Sequence, residues 1–186
     1  MRDCIFLLAD KNMEAVFTGF LTRERFYLSL GIRPFAFDQA RDIIVESGSD
    51  PGVFRRAHAL LRLYRRTHRF AVVVLDNTWA GSPGVEAIQE TIQANMISSG
   101  WPADCFEVIV IDPELEVWLW QDSPHLATAF RFTQHTSLRQ WLVSQGLWDT
   151  DAAKPADPKQ AVERTLRTSR MPRSSAIYRQ ITNQGP

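Results

Sequence analysis

The sequence predicts an α/β protein: a mostly parallel central sheet of about four strands flanked by helices, with a small helical C-terminal appendage. Three apolar runs predict the sheet. Cys4–Ala9, Phe70–Leu75 and Phe106–Ile111 are short, lack polar alternation, and run into Asp10, Asp76 and Asp112. Runs of this kind suit parallel strands covered on both faces. The long stretches between them carry apolar residues at three- and four-residue spacing, so helical crossovers join the strands and keep them parallel.

Taken in order, residues 4–9 form the first strand. Asn12 or Asp10 caps the following helix, whose apolar face is Met13, Val16, Phe17, Phe20 and Leu21. Phe26, Tyr27, Leu28 and Leu30 read as further helix, closed by Gly31. Residues 33–38 read as extended, and Pro34 places them at a sheet edge or outside the sheet. Residues 47–52 are a loop by composition. A helix over 52–69 carries the stripe Phe54, Ala57, Leu60, Leu61 and Tyr64. The run Val72-Val73-Val74 marks 70–75 as the central strand.

Gly81-Ser82-Pro83-Gly84 turns the chain. Ser82 suits an N-cap and Pro83 a first helical position, and Val85, Ile88, Ile92 and Met96 line the helix that follows to about Ser98. After the strand at 106–111, Pro113 starts a helix carrying Leu115, Trp118 and Leu119. If those three face inward, Glu116 faces solvent. A further helix is expected near 136–145. Residues 149–159 read as a linker, followed by helices near 160–168 and 174–182. The chain thus divides into an α/β domain over 1–148 and a linker with a basic tail over 149–186. The tail sets Lys159, Arg164, Arg167, Arg170, Arg173 and Arg179 against Glu163.

Composition excludes several classes. The 186 residues suit one domain, and 45% apolar with 23% charged residues is ordinary for a soluble globular protein. A formal net charge of +0 leaves only local patches to attract nucleic acid or membrane. No run approaches the ~18 apolar residues of a membrane span. The N-terminal apolar stretch ends in Asp10-Lys11 rather than a small-residue cleavage site, so a cytoplasmic protein is expected. The two cysteines, Cys4 and Cys105, read as unpaired, with Cys4 a small buried hydrophobe. There is no P-loop pattern, no Gly-x-Ser-x-Gly elbow and no zinc-ligand spacing of His and Cys.

The acids carry the functional reading. In a parallel sheet the carboxyl ends of the strands share one edge, where ligands bind. Asp10, Glu14, Asp76, Asp112, Glu114 and Glu116 fall at or just after those ends. Oxygen ligands of this kind suit a hard divalent cation. The same acids also serve as helix caps and turn formers, which competes with a shared site. Arg55, Arg56, Arg62, Arg65, Arg66 and Arg69, with His58 and His68, cluster on the helix over 52–69. They suit phosphate contacts, or alternatively a solvated helix face. Trp120, Trp141 and Trp148 are expected to be exposed for an interface, and Trp79 lies in the turn beside Asp76.

Three segments carry a family likeness: Leu7-Leu8-Ala9-Asp10-Lys11-Asn12-Met13-Glu14, Val72-Val73-Val74-Leu75-Asp76-Asn77-Thr78, and Glu114-Leu115-Glu116-Val117-Trp118-Leu119. Through them residues 4–130 resemble the Toprim-like proteins of bacterial defence gene clusters. These are domains of unknown function related to the overcoming-lysogenisation-defect nucleases. Such proteins hold Mg²⁺ with a first-strand Glu and a later Asp-x-Asp to cleave phosphodiesters. Here Ala9 or Asp10 stands at the Glu position, and Thr78 replaces the second Asp.

The resemblance implies a metal-dependent nuclease of a defence system, with Mg²⁺ or Mn²⁺ as cofactor. Asp10, Asp76 and Glu116 are its expected catalytic metal ligands, Glu14 and Asp112 additional ligands. Arg62, Arg65, Arg66 and Arg69 are expected to hold the nucleic-acid backbone. The missing acid at Thr78 motivates the alternative: a catalytically degenerate Toprim-like subunit that binds a protein partner or nucleic acid in a defence complex. A third reading is nucleic-acid binding through the basic helix and tail without chemistry. No membrane partner is expected.

Overall fold

The computed structural model describes residues 1–121 and 123–184. Four strands form one sheet: β1 (Arg2–Leu8), β2 (Ile43–Val45), β3 (His68–Asp76) and β4 (Phe106–Ile111). Their order is β2-β1-β3-β4, and every pairing is parallel. The chain leaves β1 to one side for β2 and returns to the other side for β3. The switch point between β1 and β3 is therefore where a ligand crevice is expected.

Register fixes what meets there. Leu8 pairs with Val74, so Asp10 stands level with Asp76, and Asp76 itself pairs with Ile111. Ile5, Leu7, Ala71, Val73 and Leu75 are almost completely buried along one face of the sheet. On the opposite face Cys4, Phe70, Val72 and Ile109 are only half-buried and line an open apolar groove of about 750 Å³.

The helices are α1 (Lys11–Leu21), α2 (Phe26–Ser29), α3 (Gln39–Asp42), α4 (Ser49–Leu61), α5 (Val85–Ser98), α6 (Glu116–Leu119), α7 (Pro124–Ala129), α8 (Leu138–Ser144), α9 (Pro158–Thr168) and α10 (Ser175–Gln184). Asp10 is the cap of α1: its Oδ1 accepts from the backbone N–H of Asn12 and of Met13, both at 2.8 Å. The pair α4 and α5 packs against β3 and β4 through Val53, Ala57, Leu61, Ile88, Ile92 and Met96.

Several local expectations change. The fourth strand is Ile43–Val45, while residues 33–38 lie outside the sheet. A run of three residues between two acids is too short to show strand periodicity. The helix expected over 52–69 begins at Ser49 and ends at Leu61, and a 3₁₀ turn at Tyr64–Arg66 leads into β3. Ser82 does not cap α5, which starts at Val85. The Ser82 hydroxyl instead donates to Asn77 Oδ1 at 2.9 Å.

The tail is welded to the domain. Ala161, Val162, Leu166, Ile177, Tyr178 and Ile181 are buried, and α10 lies along α1. Gly19 permits the close approach: a Cβ there would stand 2.6 Å from the backbone oxygen of Arg179. Trp120 is fully buried and donates through Nε1 to the Pro158 carbonyl at 2.9 Å. Trp148 is buried as well, and Trp141 partly so. These indoles are core, which corrects their expected role as an exposed interface. Indole nitrogens find carbonyl partners when buried, so large aromatic content alone does not mark a surface.

Candidate functional site

The carboxyl-terminal edge gathers five acids: Asp10 after β1, Asp50 in the first turn of α4, Asp76 at the end of β3, and Glu114 and Glu116 after β4. Asp50 is tied to the strand end directly, because its Oδ1 accepts the backbone N–H of Asp76 at 2.8 Å. Asp76 Oδ1 is buried and has no hydrogen-bond partner. Burial pushes the Asp76 carboxyl up to about 8, and the neighbouring charges of Asp50, Glu116, Asp10 and Glu114 push in the same direction. Burial likewise raises Asp50. Accepting the Asp76 N–H opposes that rise, and the charge of Asp10 adds to it. Glu114 is raised by burial and by Glu116, against the pull of Lys159. At neutral pH the cluster thus holds a proton on Asp76, since burying further like charge is costly.

Glu116 is the main correction. It is 3% exposed, not solvent-facing. Its Oε1 accepts from the Tyr178 hydroxyl at 2.6 Å and from Arg173 Nη2 at 3.2 Å. Burial raises the Tyr178 hydroxyl, as does the Glu116 charge. The carboxylate is therefore committed to anchoring α10. Trp118, one of the three residues expected to face inward, is 37% exposed instead.

The other expected ligands also have structural employment. Glu14 accepts from Lys11 Nζ at 2.7 Å and from Gln39 Nε2 at 2.9 Å. Against the upward push of partial burial, these contacts hold its carboxyl below the ordinary range. Asp112 is exposed and accepts from Asn77 Nδ2 at 2.9 Å. Thr78, at the position of the second acid, donates its hydroxyl to the Pro113 carbonyl at 2.8 Å. Trp79 packs its ring against Phe54, 6.0 Å between centroids.

The arginines expected to hold a substrate backbone at this edge stand at the other one. Arg62 caps the far end of α4, Arg65 and Arg66 lie in the 3₁₀ turn, and Arg69 is the second residue of β3. From His68 to Asp76 the strand covers eight residue steps, about 26 Å at ~3.3 Å per step. No side chain bridges that length.

Two residues at the acidic edge were not singled out from sequence. Asp50 was absorbed into a loop. Its signal was Pro51 immediately after it, which suits a helix start with an acid in the first turn. Lys159 was counted only as tail charge. It sits in the first turn of α9, where a cation opposes the helix dipole, and its Nζ is 3.5 Å from Glu114 Oε2. Its charge also acts on Asp50.

The donor set is all oxygen, and the orphaned Asp76 Oδ1 would suit a hard cation. Yet among the described residues no three acid, imidazole or thiol groups converge to hold a metal ion, and Glu116 is taken. As the side chains stand, Mg²⁺ or Mn²⁺ is not fitted.

Fold and edge together define a parallel α/β protein with a crowded carboxylate site at its topological switch point. No family model matches the chain, and no curated protein or solved structure is detectably similar to it.

Proposed function

We propose that this protein is a catalytically degenerate Toprim-like subunit, one that serves a multi-protein complex by binding and cuts nothing itself. One observation carries the reading: Glu116, expected as the third catalytic carboxylate, is spent on Tyr178 and Arg173 in a buried structural contact. Thr78 in place of an acid supports it further. The defence setting and the cytoplasmic location come from the resemblance and the composition. Among the described residues, no helix is long and apolar enough to cross a membrane.

A second reading, metal-dependent phosphodiester hydrolysis, keeps one specific observation in its favour. Asp76 has a buried, unpartnered oxygen, and its carboxyl is pushed to about 8 among neighbouring acids. Perturbed carboxyls of this kind concentrate at functional sites. This reading requires the acids to rearrange, because as they stand no three of them among the described residues converge to hold a metal ion.

Thermal unfolding with and without Mg²⁺ or Mn²⁺, on wild type and Asp76→Ala, separates the two. A ligand that binds only the native state raises apparent stability. The degenerate reading expects no metal-dependent shift in either protein and no cleavage of DNA or RNA. A shift in wild type that disappears in Asp76→Ala, with metal-dependent cleavage, would replace it by the hydrolytic reading.

A further inference from the structure

The N-terminal edge of the sheet carries a charge pattern of its own. Arg62, Arg65, Arg66 and Arg69 are all exposed. No ion pair among the described residues involves any of them. Several other arginines are paired: Arg2 with Asp42, Arg33 with Asp3, Arg56 with Glu46, and Arg173 with Glu116 and Glu163. The chain has a formal net charge of +0. The four positive charges at this edge are therefore a local feature, not a consequence of overall charge.

The local structure holds this charge outward. Arg65 Nη1 donates to the Ser99 carbonyl at 2.8 Å, and its guanidinium lies against Gly100, where a Cβ would stand 2.5 Å from Nη1. Gly100 has φ +93°, so a side chain there is disfavoured on two counts. The Arg69 guanidinium lies over the Phe70 ring at 5.0 Å. An open concavity of about 510 Å³ lined by His58, Ala59, Arg62, Asn95, Ser98 and Ser99 runs alongside.

We infer that this arginine edge is a nucleic-acid-binding surface, separate from the acidic edge and independent of any metal. The inference rests on the binding-subunit reading and names the partner class. Arginine suits phosphate because its planar fork donates two parallel hydrogen bonds to phosphate oxygens. The four arginines follow one another in sequence from the end of α4 through the 3₁₀ turn into the start of β3, a run that suits contacts along a phosphate backbone. A membrane fits less well. Leu63 is the single exposed large hydrophobic within the stripe, whereas interfacial helices present a broad apolar face. In the tail, Arg173 is held by Glu116 and Glu163, and Arg164 donates to Gln145 at 3.2 Å.

The test is binding of a labelled single-stranded or duplex oligonucleotide to the full chain in EDTA, read by fluorescence anisotropy between about 50 and about 200 mM salt. Four phosphate contacts predict a log–log salt slope of about −3 to −4. Arg62→Glu with Arg66→Glu, both free of ion pairs, should keep the circular dichroism spectrum and melting curve. They should weaken binding by roughly tenfold or more and flatten the slope by about 2. Arg164→Glu with Arg167→Glu should leave affinity unchanged. Any of four results overturns the inference: no binding in EDTA, unchanged affinity in the first variant, an equal loss in the tail variant, or capture by phosphatidylserine vesicles without oligonucleotide binding. Because metal is absent throughout, failure here is distinct from failure at the acidic edge, which the metal-dependent melting and cleavage assays report.

Discussion

Asp76 shows how one residue links the sequence, the sheet and pH. It closes β3 in a nest of acids, and burial lifts its carboxyl to about 8. An unfolded chain would ionise the same group near about 4. Between those values the folded state holds a proton that the unfolded state has lost. Stability therefore falls as pH rises through the window from about 4 to about 8, and is flat above it. At about 1.4 kcal/mol per unit, a partly exposed group in a coupled cluster contributes a few kcal/mol at most. Asp76→Asn mimics the neutral form. It should melt like wild type near pH 4 and become the more stable protein toward pH 8, as denaturant titrations across that range will show. Equal stability of the two at pH 8 would refute the assignment. That Asp10 and Asp76 meet was legible in the sequence, because acids after parallel strands share an edge. That Glu116 is buried and tied to Tyr178 and Arg173 was not. Its partners lie 57 and 62 positions away, beyond the reach of any local pattern.

At the scale of elements, the most extensive contact between helices is α1 against α10. Gly19 lets the two backbones approach, and its missing side chain is what the packing needs. A Cβ at that point meets Thr182 Oγ1 and the Arg179 carbonyl oxygen, and the second is backbone that cannot rotate away. In an exposed helix, Gly→Ala stabilises by about 1 kcal/mol. Here overpacking reverses the sign, and Gly19→Ala should destabilise by about 1–3 kcal/mol in chemical denaturation. The elements most legible in the sequence were those with long periodic patterns: β1, β3, β4, α1, α5, α9 and α10. Those missed were short or composed of turn residues. β2 has only three residues, and α4 begins within Gly48-Ser49-Asp50-Pro51, which reads as loop by composition although Ser49–Leu61 is helix.

Across the whole molecule, charge is divided between the two ends of one sheet, with acids at the carboxyl edge and unpaired arginines about 26 Å away. Helix α4 is the structural link, since its first turn supplies Asp50 and its far end Arg62. The sequence showed both charge clusters but could not separate them, because position on a helix does not reveal which sheet edge each end reaches. Integration also extends to the tail. Trp120, Glu116 and α1 all depend on residues after 157 for partners. A chain shortened to end at Ala156 should therefore lose cooperative unfolding, and retention of a sharp melting transition would show that residues 1–148 form a self-sufficient domain.

The α1–α10 contact joins two helices far apart in sequence, with the Asn183 side chain donating to the Gly19 carbonyl across 164 positions. On the ribosome that separation becomes a delay. At about 5–20 residues per second, the apolar flank of α1 waits roughly 8 to 33 s before its partner is synthesised. Helix α1 is thus made long before the face it packs against. During that interval the nascent protein presents an uncovered helix face suited to a chaperone, and synthesis of α10 completes the packing.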